Sequence, residues 1–592
     1  MCGINGILSL NDQAHPIDRD ELIRTREAMA TRGPDAAGEW VSPDGKIGLG
    51  HRRLAIIDLS PTGSQPMHWE TGRYTIVFNG EIYNYRELRA ELERAGVRFQ
   101  SQSDTEVILA LYAYQGLAAL SRLRGMYAFA IWDAQEHTLL LARDPFGIKP
   151  LYYSIQDGVF RFASQVKALQ ASNAILQEPD PSGIVGFLLW GSVPEPFTIY
   201  RAIRALPAGS YLLVRNGQVT SPCPFYSWNA LPSVSYPDVA SALMDTVRAH
   251  LVADVPVAIF LSGGLDSTLI AALACRLSAS IQTFSLGFES FLGKPYDELP
   301  LARQVAQRLG TKHIEVRIKP TDMPDLWHRA LSAMDQPSID GFNVFVISQL
   351  AHSAGLKVVL SGLGGDELFG SYSSFRDVPH WYKWSSRLIH MPGLTSRWHS
   401  LAHRLYPTLP KLQGLLRYAT TLPGAYYLRR GLYLPEELPQ IIDPHLAREG
   451  LDAYQPVESL REKMGDLSEP WHIVHRLEVQ QYMRNQLLRD ADWASMAHSL
   501  ELRVPLVDIW LHAYLSRQHF EPARSRGKAA LVRRVAPELP DELFRRAKSG
   551  FLFPIREWLE PTNPNHSVRW GLDSRRLAVR VLHEFMPAIC NQ

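Results

Sequence analysis

"AIFLSGGLDST", residues 258–268, decides how the second part of this chain is built. Ala258–Leu261 is apolar throughout and reads as a buried strand. Ser262-Gly263-Gly264-Leu265-Asp266-Ser267 then turns directly into the apolar helix "TLIAALACRLS". Glycine lets the backbone approach a ligand closely. A helix N-terminus presents unpaired N–H groups and the positive end of its dipole, which suits a phosphate. Ser262 and Ser267 add hydroxyl donors. Asp266 suits magnesium, a hard cation that prefers oxygen ligands. The plainer alternative is a glycine-rich turn that caps a helix.

The pattern continues outward from this loop. Before it lies an amphipathic helix, "ASALMDTVRAHLVAD". After it come the strand "IQTFSLGF", which contains Leu286, the helix "ELPLARQVAQRLG" and the strand "HIEVRI". "QLAHSAGL" then leads into the strand "KVVLSG". Strands alternating with helices predict an α/β doubly wound, mostly parallel sheet from residue 237 onward. The second glycine turn, Ser361-Gly362-Leu363-Gly364-Gly365-Asp366-Glu367, repeats the logic of the first. It puts amides and a carboxylate at the C-terminal edge of the sheet, where ligands bind in such folds. Facing one nucleotide, the two turns would give magnesium two carboxylates, Asp266 and Asp366. Taken alone, the second turn is equally well a helix cap. From Trp381 the chain reads as a mainly helical extension.

Residues 2–205 have a different texture. "RYTIVFNG", "TLLLARD", "PLYYS", "VFRFAS" and "SYLLVRNG" are short strand-like runs closed by turn residues. "RELRAELERAG" and "DTEVILALYAYQG" read as helices between them. An α+β domain follows from this mixture, with 206–236 as a final hairpin and a proline-spaced linker. Length agrees with several domains, since 592 residues exceed what one core supports. A net charge of +1 leaves no global field to attract nucleic acid or an anionic membrane. Clusters such as "RRAK" and "DSRRLAVR" read as solvated helix faces. Cys2, Cys223, Cys275 and Cys590 have neither disulfide nor zinc spacing. No secretory signal or membrane-length apolar run is read, and a reduced, cytoplasmic protein is expected.

The opening "MCGINGIL" adds chemistry. Removal of Met1 would leave Cys2 with a free α-amine beside its thiol, and such an amine serves as the base for its own side chain. Further on stand "TRGPDAAG", "GHRRLAIID", "GSQPM", "VFNGEIYNY", "SQSDTEVIL" and "RDPFGIKPLYY". Hydrolysing an amide through a thioester needs a nucleophile, an oxyanion hole and a clamp for the amino acid. Asn79 and Gly80 suit the oxyanion, and Arg53 suits a carboxylate through a bidentate pair. Individually, "NGE" is also a hairpin turn, Arg53 a surface arginine and Asp104 a helix N-cap.

Together with Cys2 these motifs resemble the class II glutamine amidotransferase domain, an N-terminal-nucleophile fold with an αββα sandwich. The resemblance implies Cys2 as nucleophile, Asn79 and Gly80 as oxyanion donors, and Arg53, Glu81 and Asp104 as the glutamine clamp. SGGLDS resembles the pyrophosphate loop of ATP pyrophosphatases. An ATP site follows from Leu261, Ser262, Gly263, Gly264, Asp266, Ser267, Leu286, Ser361 and Gly362, with ATP and magnesium as cofactors. The whole chain resembles glutamine-hydrolysing asparagine synthetases, also through "RNQLLRDADWASMAHSLELRVPLVD", "RGKAALVRR" and "RAKSGFLFPIREWL". That resemblance implies a catalytic Lys528 that neutralises phosphate charge. It also implies an internal ammonia tunnel, an acyl-adenylate of aspartate or another carboxylic acid, and a homodimer. The plain reading of Lys528 is a solvated lysine near a helix start. The sequence departs from the family at Thr31, usually His, at Trp493, often Arg, and at Leu363, where several relatives carry an acid. "MDQPSIDGFN" also lacks a Thr and an Arg that bacterial relatives use toward aspartate. A catalytically silent regulatory homologue is disfavoured by the intact Cys2, Asn79, SGGLDS and Lys528.

Overall fold

The computed structural model describes residues 2–11, 16–228, 230–388, 411, 414–517, 527–546, 554 and 570–589. Met1, Cys590 and most of "RAKSGFLFPIREWL" lie outside them.

The N-terminal half stacks two antiparallel sheets. The first has six strands in the order Arg204–Ala205, Tyr152–Gln156, Val159–Ala163, Gly3–Ser9, Ile47–Arg53, Ala36–Val41. The second has seven, with Thr138–Arg143, Gly125–Asp133 and Tyr74–Ile82 at its centre. Ser210–Arg215 pairs with Thr138–Arg143. The hairpin after residue 205 therefore contributes an interior strand to this sheet. Strand alternation explains the layers, because successive side chains point to opposite faces. Val77 meets Ile4, Leu49 and Phe162 between the sheets, while Ile76 and Phe78 face Val107 and Ile108 of the helix Asp104–Gln115. Both faces of Tyr74–Ile82 are covered, which is why it reads as a nearly continuous apolar run. Helices Arg19–Glu27 and Val166–Gln170 cover the first sheet and complete the αββα sandwich.

The other half is built on a parallel sheet of five strands. Their order is Lys312–Ile318, Gln282–Phe288, Val257–Phe260, Val358–Leu360, Glu501–Arg503. Chain direction across the sheet reverses beside Val257–Phe260, whose neighbours are Gln282–Phe288 and Val358–Leu360. Both glycine turns emerge at this switch point, the place where doubly wound sheets hold ligands. Ile259 and Leu261 pack on one helical layer with Leu269 and Ile270, and Ala258 and Phe260 on the other with Phe345 and Val346. Each fully buried Leu or Ile stabilises the fold by about 1.5–3 kcal/mol.

The strand Glu501–Arg503 is unanticipated in a region expected to be helical. A second surprise is a continuous helix over residues 470–496 whose middle, Glu478–Leu488, winds as a π-helix. π-Helical turns occur mostly as single bulges, often at functional sites. No helix among the described residues is long and apolar enough to cross a membrane.

Candidate active site

Cys2 lies just ahead of the strand Gly3–Ser9 and is 8% exposed. Its backbone N–H donates to Asn79 Oδ1 at 2.9 Å. Asn79 Nδ2 is buried and has no hydrogen-bond partner. A buried orphan donor is costly, and this one belongs to the residue that holds the Cys2 N–H. Gly80 is required by space, because a Cβ there would lie 2.1 Å from the carbonyl of Met126. Cys2, Arg53, Gln65, Gly80, Glu81 and Asp104 enclose one small cavity of about 30 Å3. That volume matches roughly one water, so the cavity must widen to admit an amino acid.

Each predicted clamp residue has a definite setting. Arg53 donates to the carbonyls of Asp58 and Ser60, so it also ties down the loop over the cavity. Asp104 is fully buried and accepts from Ile82 N at 3.0 Å. Burial pushes its carboxyl up to about 6. Asp104 is not the helix N-cap; Ser103 is, accepting from Thr105 N. Glu81 is buried, with Arg503 of the other half at 3.5 Å. Burial, with Glu501 nearby, pushes its carboxyl well up. Burial likewise raises the Cys2 thiol.

The second site is a cleft of about 610 Å3 at the sheet's switch point, within the usual size range for ligand pockets. Leu261, Ser262, Gly263, Gly264, Asp266, Ser267, Leu286, Ser361, Gly362, Asp366 and Lys528 all line it. The serines organise the first loop: Ser262 N donates to Ser267 Oγ at 3.1 Å, and Gly264 N to Ser262 Oγ at 3.1 Å. The two turns touch. A Cβ at Gly365 would lie 2.2 Å from Asp266 Oδ1, and one at Gly362 would lie 2.6 Å from Ser267 N. Lys528 reaches in from the helix Gly527–Val535 and is not solvated. Its ammonium bonds Asp266 and, at 2.8 Å, Asp366. Burial works against that charge, but the paired carboxylates hold its pKa above the usual lysine value. One positive charge thus already bridges both carboxylates. A divalent cation fits the same donor pair, since magnesium takes one or two carboxylates and completes its shell with phosphate oxygens and water.

Sequence reasoning missed Arg546. It belongs to the "RRAK" cluster expected on a solvated face, yet it lines the cleft, where a Cβ at Gly263 would lie 2.6 Å from its Nη1. No local sequence pattern marks it, because the glycine loop it meets lies far away along the chain. In "DSRRLAVR", Arg575 is buried and pairs with Glu437 at 2.9 and 3.1 Å. Leu363 lies in an apolar wall with Val344 and Ile347. Asp335, in the stretch "MDQPSIDGFN", accepts from Val166 N and Lys167 N at 3.0 Å.

Residues 1–226 match the glutamine amidotransferase domain model, and residues 238–585 match the model for asparagine synthase. The chain belongs to the asparagine synthase family. As a member it is a carbon–nitrogen ligase that joins a glutamine amidotransferase domain to an asparagine synthase domain. Relatives align nearly end to end. An asparagine synthetase (glutamine-hydrolysing) of Bacillus subtilis is 35% identical over 95% of this chain and 88% of its own length. A putative asparagine synthetase (glutamine-hydrolysing) of Mycobacterium tuberculosis is 34% identical over 91% and 84%. Amidase chry2 of Gibberella zeae is 28% identical over 96% and 90%.

Proposed function

We propose that this asparagine synthase family member uses glutamine and ATP to convert a carboxylate into its primary amide, with aspartate as the default acceptor. The observation that carries the reading is the Lys528 ammonium held between Asp266 and Asp366 under the glycine loops. That is where pyrophosphate charge must be neutralised. It stands in one chain with a cavity lined by Cys2, whose N–H is held by Asn79.

In the first site the α-amine of processed Cys2 takes the thiol proton. The sulfur then attacks the glutamine side-chain carbonyl carbon. Asn79 Nδ2 and the Gly80 N–H hold the resulting oxyanion; donors of this kind contribute about 2.7–4 kcal/mol each. The Cys2 α-ammonium returns that proton to the leaving nitrogen as collapse expels ammonia, and water then cleaves the thioester to release glutamate. Arg53 addresses the glutamine α-carboxylate and Asp104 the α-ammonium, with Glu81 as a further contact to the glutamine. In the second site an acceptor carboxylate oxygen attacks the α-phosphorus of ATP, displacing pyrophosphate and forming the acyl-adenylate. Ammonia attacks the acyl carbon, AMP departs and one proton is lost. Magnesium held by Asp266 and Asp366 would supply charge neutralisation for the pyrophosphate. Lys528 adds a second positive charge once released from its carboxylates. A route for uncharged ammonia between the two sites would run through the shared apolar interior that joins Met126, Phe146 and Val193 to Phe345, Leu488 and Trp493. A dry route also keeps ammonia from being lost to solvent. The reaction needs only small molecules, in keeping with a cytoplasmic enzyme.

Two results test this reading. Incubation with aspartate, glutamine and MgATP should yield asparagine, AMP and pyrophosphate in equal amounts. With a free-enzyme carboxyl near 6, Asp104 is ionised above that pH and pairs an ammonium there. The kcat/KM for glutamine hydrolysis should therefore decline as pH falls through about 6, and an Asp104→Asn variant should lose that limb.

A specific observation favours a second acceptor. Leu363 offers neither a hydrogen bond nor a proton acceptor, and its neighbours Val344 and Ile347 are apolar. The similarity to amidases such as chry2 agrees with an acceptor other than aspartate. Leu363→Glu should raise the rate with aspartate about tenfold or more relative to apolar acids, since an unmatched buried polar group costs about 1–3 kcal/mol. Glutamine hydrolysis should stay within twofold. Pyrophosphate release across a panel of carboxylic acids decides between the acceptors, and absence of asparagine alongside ATP cleavage with another acid removes aspartate.

A further inference from the structure

Once Met1 is removed, Cys2 has no upstream chain to hold it. Its position then depends on the strand that follows and on its own backbone groups. Asn79, from the same half, takes the N–H. The carbonyl accepts from Arg32 Nε at 3.0 Å. Arg32 is wholly buried, and its other two nitrogens form a bidentate pair with Asp492, Nη1 to Oδ2 at 2.7 Å and Nη2 to Oδ1 at 3.1 Å. Asp492 is 5% exposed and belongs to the synthase half, 460 residues further along the chain. A bidentate carboxylate fixes the plane of a guanidinium as well as its place. With both Nη atoms locked, Nε points at one acceptor, the Cys2 carbonyl.

The helix carrying Asp492 is itself pinned against the glutaminase half. Arg484 Nε donates to the Phe146 carbonyl at 3.2 Å, Asn485 Oδ1 accepts from Glu195 N at 3.1 Å, and Arg489 Nη1 donates to the Val193 carbonyl at 2.7 Å. Close by, Ser499 Oγ donates to the carbonyl of Thr31, the residue before Arg32, at 2.6 Å. Lys149 Nζ lies 3.8 Å from Asp492 Oδ1 and adds positive charge on the same side. The π-helical stretch ends just before Asp492, and its Tyr482 packs against Tyr372 beside the second glycine turn.

We propose that Asp492 is a positioning residue for the glutaminase nucleophile: it orients Arg32, and Arg32 orients Cys2. The thiol is then aligned for attack only while the two halves are docked, so ammonia is released only next to the site that consumes it. The inference rests on Cys2 being the nucleophile.

The test uses the full-length processed enzyme carrying Asp492→Asn. Its kcat for glutamine hydrolysis should fall about 100-fold, the scale set by misplacing a reacting group by an ångström. KM should change less than about threefold, because the clamp residues are untouched. Asp492→Glu, which keeps the charge, should recover at least a tenth of the native kcat. Pyrophosphate release driven by added ammonium should stay within twofold in both variants, which also shows that they fold. Native kcat in Asp492→Asn overturns the proposal, and so does a loss confined to KM. Equal loss of ammonium-driven synthesis overturns it too, by making Asp492 a general folding residue. Cys2→Ala runs in parallel: if it still hydrolyses glutamine, the nucleophile assignment fails rather than the positioning role.

Discussion

Cys2→Ala should abolish glutamine hydrolysis while leaving amide synthesis from ammonium nearly intact. Removing a catalytic nucleophile typically lowers kcat by roughly 10⁴–10⁶. In the proposed mechanism the thiol forms the covalent bond through which the glutamine amide is cleaved. Among the described residues the cavity holds no second thiol, and its two hydroxyls belong to Ser103, which caps the helix Asp104–Gln115, and Thr105, which accepts from Gln65 Nε2. The second site lies in the other half and lacks Cys2 among its lining residues, so ammonium supplied from solution bypasses the loss. Glutamate release and ammonium-driven pyrophosphate release, measured on one preparation, check the two halves of the expectation. Hydrolysis at the native rate would show that another group attacks the amide. Retention of Met1, by a tag or by blocked processing, should reproduce the loss, because it removes the free amine beside the thiol.

Asp266→Ala and Asp366→Ala should each remove ATP-dependent synthesis with either nitrogen donor. The expected loss is about 10³-fold or more, corresponding to several kcal/mol of charge stabilisation at the reacting phosphates. Both carboxylates bond Lys528, so either change also frees the lysine from one of its two anchors. Neither touches the Cys2 cavity, and basal glutamine hydrolysis should persist. Pyrophosphate release with glutamine or ammonium is the measurement, and normal release by either variant would remove that carboxylate from the site.

Much of this arrangement follows from local rules. The parallel strands 257–260, 282–288, 312–318 and 358–360 announce themselves as short apolar runs between helices. The glycine turns follow two of those strands directly. Cys2, Asn79, Gly80, Glu81 and Asp104 stand in short motifs whose residue types suit amide chemistry, and the fold brings all but Asn79 to the wall of one cavity, with Asn79 bonded to Cys2. Such features depend on residues within a few positions of one another. Hydrophobic period, glycine geometry and acid–helix contacts are therefore legible in sequence.

Other features depend on packing between distant segments. The strand Glu501–Arg503 is three residues long and two of them are charged, so it has no apolar period to reveal it. Arg503 is buried with its Nε on Glu501 and its Nη1 on the carbonyls of His250 and Val252, a pairing no local pattern encodes. The same holds for Arg546 over the glycine loop and for Lys528 between its two carboxylates. It holds for Ser103 taking the cap beside Asp104, and for the π-helical turn before Arg489. The amino-acid sequence by itself determined the chemistry present and the two architectures that carry it. The tertiary structure decided which buried charges meet, above all Arg32 with Asp492. A buried ion must find a partner or carry a large desolvation penalty, and the partner within reach is set by how the two halves pack.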